Sequence, residues 1–170
     1  MFEKNDYVYY ASGGVCRIFD IRYAPLEGMP SDRLYYVMSS LHDPSGVIYV
    51  PVNSETVFLR RLLTREEADE LIARIPSLNR FEEPNAKLLR GKYADAMRTH
   101  DPAEWIRVIK TVYHRTKALA ATSHSQRLSD TERSFADDAR RYLHAELSIA
   151  LGIPTTEIEA YIREHIGATE

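Results

Sequence analysis

Apolar and polar residues along this chain follow one period, then another. Up to Leu59 the apolar residues come in short β-branched and aromatic runs cut by turn residues. Asp6–Tyr10, Val15–Tyr23, Leu34–Ser40 and Val47–Val50 read as strands, with Thr56–Leu59 a fifth. Gly13 and Gly14 supply a turn where glycine can take positive φ, and Asp43-Pro44-Ser45-Gly46 is a second turn. The irregular alternation of Val15–Tyr23 predicts a bulge or strong curvature. Pro51 cannot donate to a ladder and ends the fourth strand. Five short strands in about sixty residues outline a small β-barrel. Such barrels usually bind a partner and leave catalysis to others.

The period changes from 2 to 3.6 near Leu62–Thr64, the expected boundary between a β unit (1–62) and a helical unit (63–170). Thr64-Arg-Glu-Glu67 and Ser129-Asp-Thr-Glu132 are capping boxes. Helices are predicted to about Ile75, over Ala86–Thr99, after Asp101-Pro102, over the run ending at Gly152, and after Pro154. Trp105, Ile106, Ile109, Val112, Tyr113 and Leu119 form one helical stripe. Ala121–Leu128 reads as a loop. The fold class is therefore α+β: a small barrel followed by an all-α helical bundle.

Charge changes the picture along the chain more than in total. The formal net charge of −3 excludes a generically basic nucleic-acid binder. Residues 86–117, however, hold eight Lys/Arg against three Asp/Glu, whereas residues 127–170 hold five against nine. Cys16 is the only cysteine, so no internal disulfide forms and a reducing, cytoplasmic setting is expected. No stretch is apolar enough for a membrane span, and the N-terminus does not read as a signal peptide.

Candidate chemistry is sparse. His42, His100, His114, His124, His144 and His165 are scattered without metal-ligand spacing, and no metal or cofactor is expected. No phosphate loop, dinucleotide fingerprint or nucleophile elbow occurs, so no enzymatic activity is expected. Cys16 reads as a buried thiol, Trp105 as a core residue ahead of a base-stacking or wedging one, and Asp137-Asp138 as a solvated helix face. Two features remain. Lys87, Arg90 and Arg98, with Lys92 a turn further round, are candidates for contacts with nucleic-acid phosphates, or an ordinary charged face. The tyrosines of the β unit (Tyr7, Tyr9, Tyr10, Tyr23, Tyr35, Tyr36, Tyr49) suit partner binding by strand addition, or reflect β-propensity alone.

The segments Phe2-x-x-Asn5-Asp6-x-Val8-x-Tyr10, the Gly14 turn, Tyr36-Val37-Met38 and Val50-Pro51 resemble the N-terminal module of the CarD family of bacterial transcription regulators. The same module serves transcription-repair coupling factors as their polymerase-interacting domain. Leu128-Ser-x-x-Glu132-Arg133 and Ala139-x-x-x-Leu143-x-x-Glu146-Leu147 resemble the helical half of the family. The resemblance spans roughly residues 1–152. It implies a Tudor/SH3-like barrel that extends a sheet of the RNA polymerase β subunit through Ile48-Tyr49-Val50, with Pro51 at the strand end and Arg22 nearby. It also implies a helical unit placed on promoter DNA, stabilising the open complex, with weak phosphate contacts from Lys87, Arg90 and Lys92. Ala86 stands where many members carry a tryptophan wedge, and Tyr49 where members often carry arginine. The alternative is an adaptor that binds polymerase or another protein without touching DNA.

Overall fold

The computed structural model describes residues 1–122 and 127–167. His124 and the middle of the expected 121–128 loop lie outside the described residues. The chain divides into two compact units, Met1–Leu63 and Thr64–Glu170.

The first unit is a curled, fully antiparallel five-stranded sheet: β1 (Tyr7–Tyr10), β2 (Gly14–Tyr23), β3 (Leu34–Ser40), β4 (Ile48–Pro51) and β5 (Leu59–Arg61). Their order is β4-β3-β2-β1-β5. No ladder joins β5 to β4, so the expected barrel is an open half-barrel with two edges. The register between β2 and β3 shifts between Ile18 and Asp20, the curvature that the irregular alternation called for. Phe19 is the extra residue. The core cluster is Val8, Cys16, Ile18, Tyr36, Met38 and Val50, with Tyr10, Ile21, Ile48 and Leu59 packed against it.

The β1–β2 turn uses its two glycines for different reasons. Gly14 alone has positive φ, at 69°. Gly13 is required by space: a Cβ there would lie 2.9 Å from Tyr10 Cδ1 and 3.2 Å from Ile48 Cδ1. The fifth strand differs from the expectation of Thr56–Leu59. Ala11 N–H donates to the Phe58 carbonyl, and the ladder runs onward from Leu59 opposite Tyr10. The preceding residues bend instead, and Val57 reaches the core without being in a strand.

The second unit holds α1 (Arg65–Arg74), α2 (Ala86–Arg98), α3 (Pro102–Ala120), α4 (Asp130–Leu151) and α5 (Ile158–Gly167), with short 3-10 turns before α5 and after α1. Thr64 and Glu67 close a complete capping box on α1, a device worth about 1 kcal/mol. Gly152 ends α4 in the left-handed conformation, φ 68°. Trp105 is fully buried and tilts against Tyr142 at a ring distance of 5.8 Å, which removes it as a stacking residue. Leu89, Tyr93, Ile106, Val108, Leu143, Leu147 and Ile158 complete the core. α5 is tied to α1 by the Tyr161 hydroxyl, which donates to Asp69 Oδ1 at 2.5 Å.

Two sequence expectations are corrected in this unit. Tyr113 leaves the apolar stripe: it is 59% exposed, with the Lys117 ammonium 4.7 Å above its ring. Its polar tip and the cation satisfy it outside the core. The second capping box is only half formed. Ser129 accepts from the Glu132 N–H, but the Glu132 carboxylate turns inward, accepting from the Tyr93 hydroxyl at 3.0 Å and from Arg115. A buried carboxylate needs partners more than a helix end needs a second cap. The interaction joins α2, α3 and α4. Burial, with the Glu132 charge beside it, pushes the Tyr93 hydroxyl well above its usual pKa.

Candidate functional site

The ladder geometry defines what β4 offers. β4 pairs only with β3, through Tyr35↔Pro51, Tyr36↔Val50, Val37↔Tyr49 and Met38↔Ile48. Val52 N–H donates to the Leu34 carbonyl at 2.9 Å. Antiparallel pairs alternate, so Ile48 and Val50 also turn their backbone groups toward β3. The N–H and C=O of Tyr49 therefore point away from the sheet. Pro51 has no N–H, and its carbonyl already accepts from Ser54. Val47, just outside the strand, is 49% exposed.

The expected polymerase-binding set consequently splits between two faces. Val50 is buried in the core, and Ile48, partly exposed, packs against it on the same face. Cross-strand rows put Tyr49 with Val37 and Asp20, and Pro51 with Tyr35 and Arg22, all on the face opposite that core cluster. The Arg22 side chain is about half exposed and pairs with Asp20 at 3.5 Å. Tyr49, Pro51 and Arg22 thus share one face, with Tyr49 nearest the edge.

The opposite edge is closed off chemically. Alternation from the Ala11–Phe58 hydrogen bond turns Leu59 and Arg61 outward on β5. There Arg60 Nη1 donates to the Arg61 carbonyl at 3.0 Å and Arg61 Nη1 to the Leu62 carbonyl at 3.1 Å. The Arg60 guanidinium also lies 4.6 Å over the Tyr9 ring. A three-residue strand with one arginine folded on its last outward carbonyl and the next on the carbonyl just beyond it is a poor template for another chain.

In the helical unit, most of the basic segment is committed to structure. Arg98 pairs with Asp95, and Arg107 pairs with Glu104 at 3.0 Å while covering Phe81. Lys110 donates to the carbonyls of Ile75 and Leu78, both at 2.6 Å, and burial lowers its pKa. Arg115 is held by Glu132, and Lys117 by Tyr113. Lys92 pairs with Glu83 at 3.6 Å. Within this segment, only Lys87 and Arg90 have neither a carboxylate, a carbonyl nor a ring as partner among the described residues.

These two lie at the start of α2, where Asn85 accepts from the Leu88 N–H as N-cap and the first turn holds no acidic residue. The helix end adds positive potential to the two cations. Ala86 and Lys87 are exposed, and so is Leu88, at 57%. Leu88 was not singled out from sequence. Its signal was available: it sits about 100° around the helix from buried Leu89, so one of the two must face outward.

The remaining candidates are structural. Cys16 is fully buried, its thiol 3.6 Å from the Gly14 carbonyl, and burial pushes its pKa up to about 11. Asp137 and Asp138 pair with Arg140 and Arg141 one helical turn on. No group of three or more His, Cys, Asp or Glu among the described residues could hold a metal ion. No helix among them is long and apolar enough to cross a membrane.

A β unit with one open edge, followed by a helical unit with a small cationic tip, defines a class of interaction module. Comparison with known families narrows it. A family model described as CarD-like/TRCF RID domain matches residues 2–63, and one described as CarD, C-terminal domain matches residues 82–163. The chain belongs to the CarD-like family, whose domains are those of transcription regulators that interact with RNA polymerase. Among curated proteins nothing matches it.

Proposed function

We propose that this protein docks on the RNA polymerase β subunit by strand addition at β4 and modulates the stability of the promoter open complex through the start of α2. The observation that carries the reading is the outward N–H and C=O of Tyr49 on an edge that, unlike β5, has no arginine folded over it. Main-chain hydrogen bonds supply affinity in strand addition, and flanking side chains supply specificity. Tyr49, Pro51 and Arg22 occupy the flanking face. Lys87 and Arg90, with Lys92 and Ala86 beside them, meet DNA phosphates without reading bases. Pull-down with the purified β lobe tests the docking step: no binding, or binding indifferent to Tyr49→Asp, sinks it.

An adaptor that leaves DNA untouched is the second reading, favoured by the shortage of unpaired cations. Two phosphate contacts give a log–log salt slope of only about −2. Lys87→Glu combined with Arg90→Glu is expected to remove that slope and shorten the open-complex lifetime. An unchanged lifetime with β binding intact selects the adaptor.

A further inference from the structure

A pocket of about 380 Å³ opens between α3, α4 and α5 of the helical unit. Its volume lies at the small end of ligand pockets, which run from about 300 to 1,000 Å³. Ile106, Ile109, Leu143 and Ile162 make its walls predominantly apolar. The polar groups that converge on it are mostly cationic. Arg163 is exposed and has no ion partner among the described residues. Arg140 is held loosely, 3.4 Å from Asp137 and 3.9 Å from Glu159. Glu159 is the single carboxylate of the lining. Lys110 contributes charge, although carbonyls already occupy it. His144, half-buried, has no hydrogen-bond partner among the described residues, and burial lowers its pKa. A cation-rich mouth over an apolar floor is unusual in the half of the chain where acids outnumber bases nine to five.

We propose that this pocket binds a small amphiphilic carboxylate, with its hydrocarbon between Ile106, Ile109, Leu143 and Ile162 and its carboxylate between Arg140 and Arg163. Arg140 exchanges its long contacts to Asp137 and Glu159 for a charge-assisted pair with the ligand. His144 supplies a neutral hydrogen-bond donor beside the carboxylate. Removal of apolar surface from water drives entry, and the arginines select the sign of the headgroup. None of its lining residues belongs to β4 or to the start of α2, so the proposal stands independently of the polymerase reading.

Isothermal titration of the full chain with decanoate, decanol and decyltrimethylammonium tests it. Decanoate is expected to bind one to one, at least about tenfold more tightly than decanol, a difference of about 1.4 kcal/mol, with the ammonium weakest. Ile162→Trp fills the floor and abolishes binding. Arg163→Gln, an exposed change that leaves the fold intact by circular dichroism, removes most of the preference for decanoate over decanol. No decanoate binding overturns the proposal. Equal affinity for decanol, or a preference unchanged in Arg163→Gln, overturns it too.

Discussion

The two edges of the sheet start from the same problem and solve it oppositely. Each leaves alternate N–H and C=O groups pointing outward, which invites another strand. On β5 the chain spends two arginines on it: Arg60 and Arg61 fold back on the carbonyls of Arg61 and Leu62. On β4 the outward residue is Tyr49, beside exposed Val47, and the only local cover among the described residues is the Ser54 N–H on the Pro51 carbonyl. The difference is one of side-chain chemistry on equivalent backbones. An edge left open beside an edge deliberately closed is better support for docking than openness alone.

Proline exchange separates the edges with the largest expected effect. Tyr49→Pro removes the one outward N–H of β4 without breaking a ladder bond to β3, because that N–H faces away from it. Affinity for the β lobe, measured by surface plasmon resonance, is expected to fall about a hundredfold, or about 2.7 kcal/mol. Arg61→Pro makes the matching change on β5 and is expected to leave affinity within about threefold. Equal losses would mean that the edges are equivalent to the partner, and the contrast between them would carry no function.

A smaller effect is expected behind β4. Gly13→Ala drives a Cβ to within 2.9 Å of the Tyr10 ring and 3.2 Å of Ile48 Cδ1. Overpacking of this kind costs about 1–3 kcal/mol. Since Ile48 belongs to β4, thermal unfolding should show the loss and β-lobe binding should weaken with it. Gly28→Ala meets no atom within 4 Å but sits at φ +88°, so it reports backbone strain alone and should spare binding at temperatures where the fold is intact. A Gly13→Ala protein of parental stability would show that the turn gives way and does not brace the edge.

Local signals in the sequence carried far in this chain, and long-range ones did not. The bulge at Phe19, the Thr64 box, the Asp101 cap and the Gly152 stop are each decided within a few residues, and each is found. Glu132 shows the limit. At N3 of its helix it looks like a capping residue, yet its partners Tyr93 and Arg115 lie 39 and 17 residues away. Lys110 and Arg115 add to the basic excess of residues 86–117, yet their acceptors come from other elements. Openness of the sheet is likewise a fact of strand order, which alternation does not encode. At the candidate site, alternation separated Tyr49 from Ile48 and Val50 in principle. The expectation names all three as one strand, and alternation sets their side chains on its two faces.

Cys16 lies midway between the edges, opposite Val8 of β1 and Ser40 of β3, and offers the mildest test of their independence. Burial raises its thiol from the usual 9.0 to about 11. The folded state therefore keeps a proton that the unfolded state releases between those values, and stability falls as pH rises through that window. Below about pH 8 the thiol adds almost no slope. At pH 10 the loss is about 1.4 kcal/mol. Comparison of denaturant midpoints for the parent and Cys16→Ala between pH 8 and 10.5 isolates this contribution, since every other group is common to both proteins. Identical slopes would contradict the burial of the thiol. If β4 and β5 rest on one core, β-lobe binding should decline with pH only as far as unfolding does. Binding lost well before the fold would mean that β4 detaches on its own, and its open edge would then be a loosely held strand that is not a preformed template.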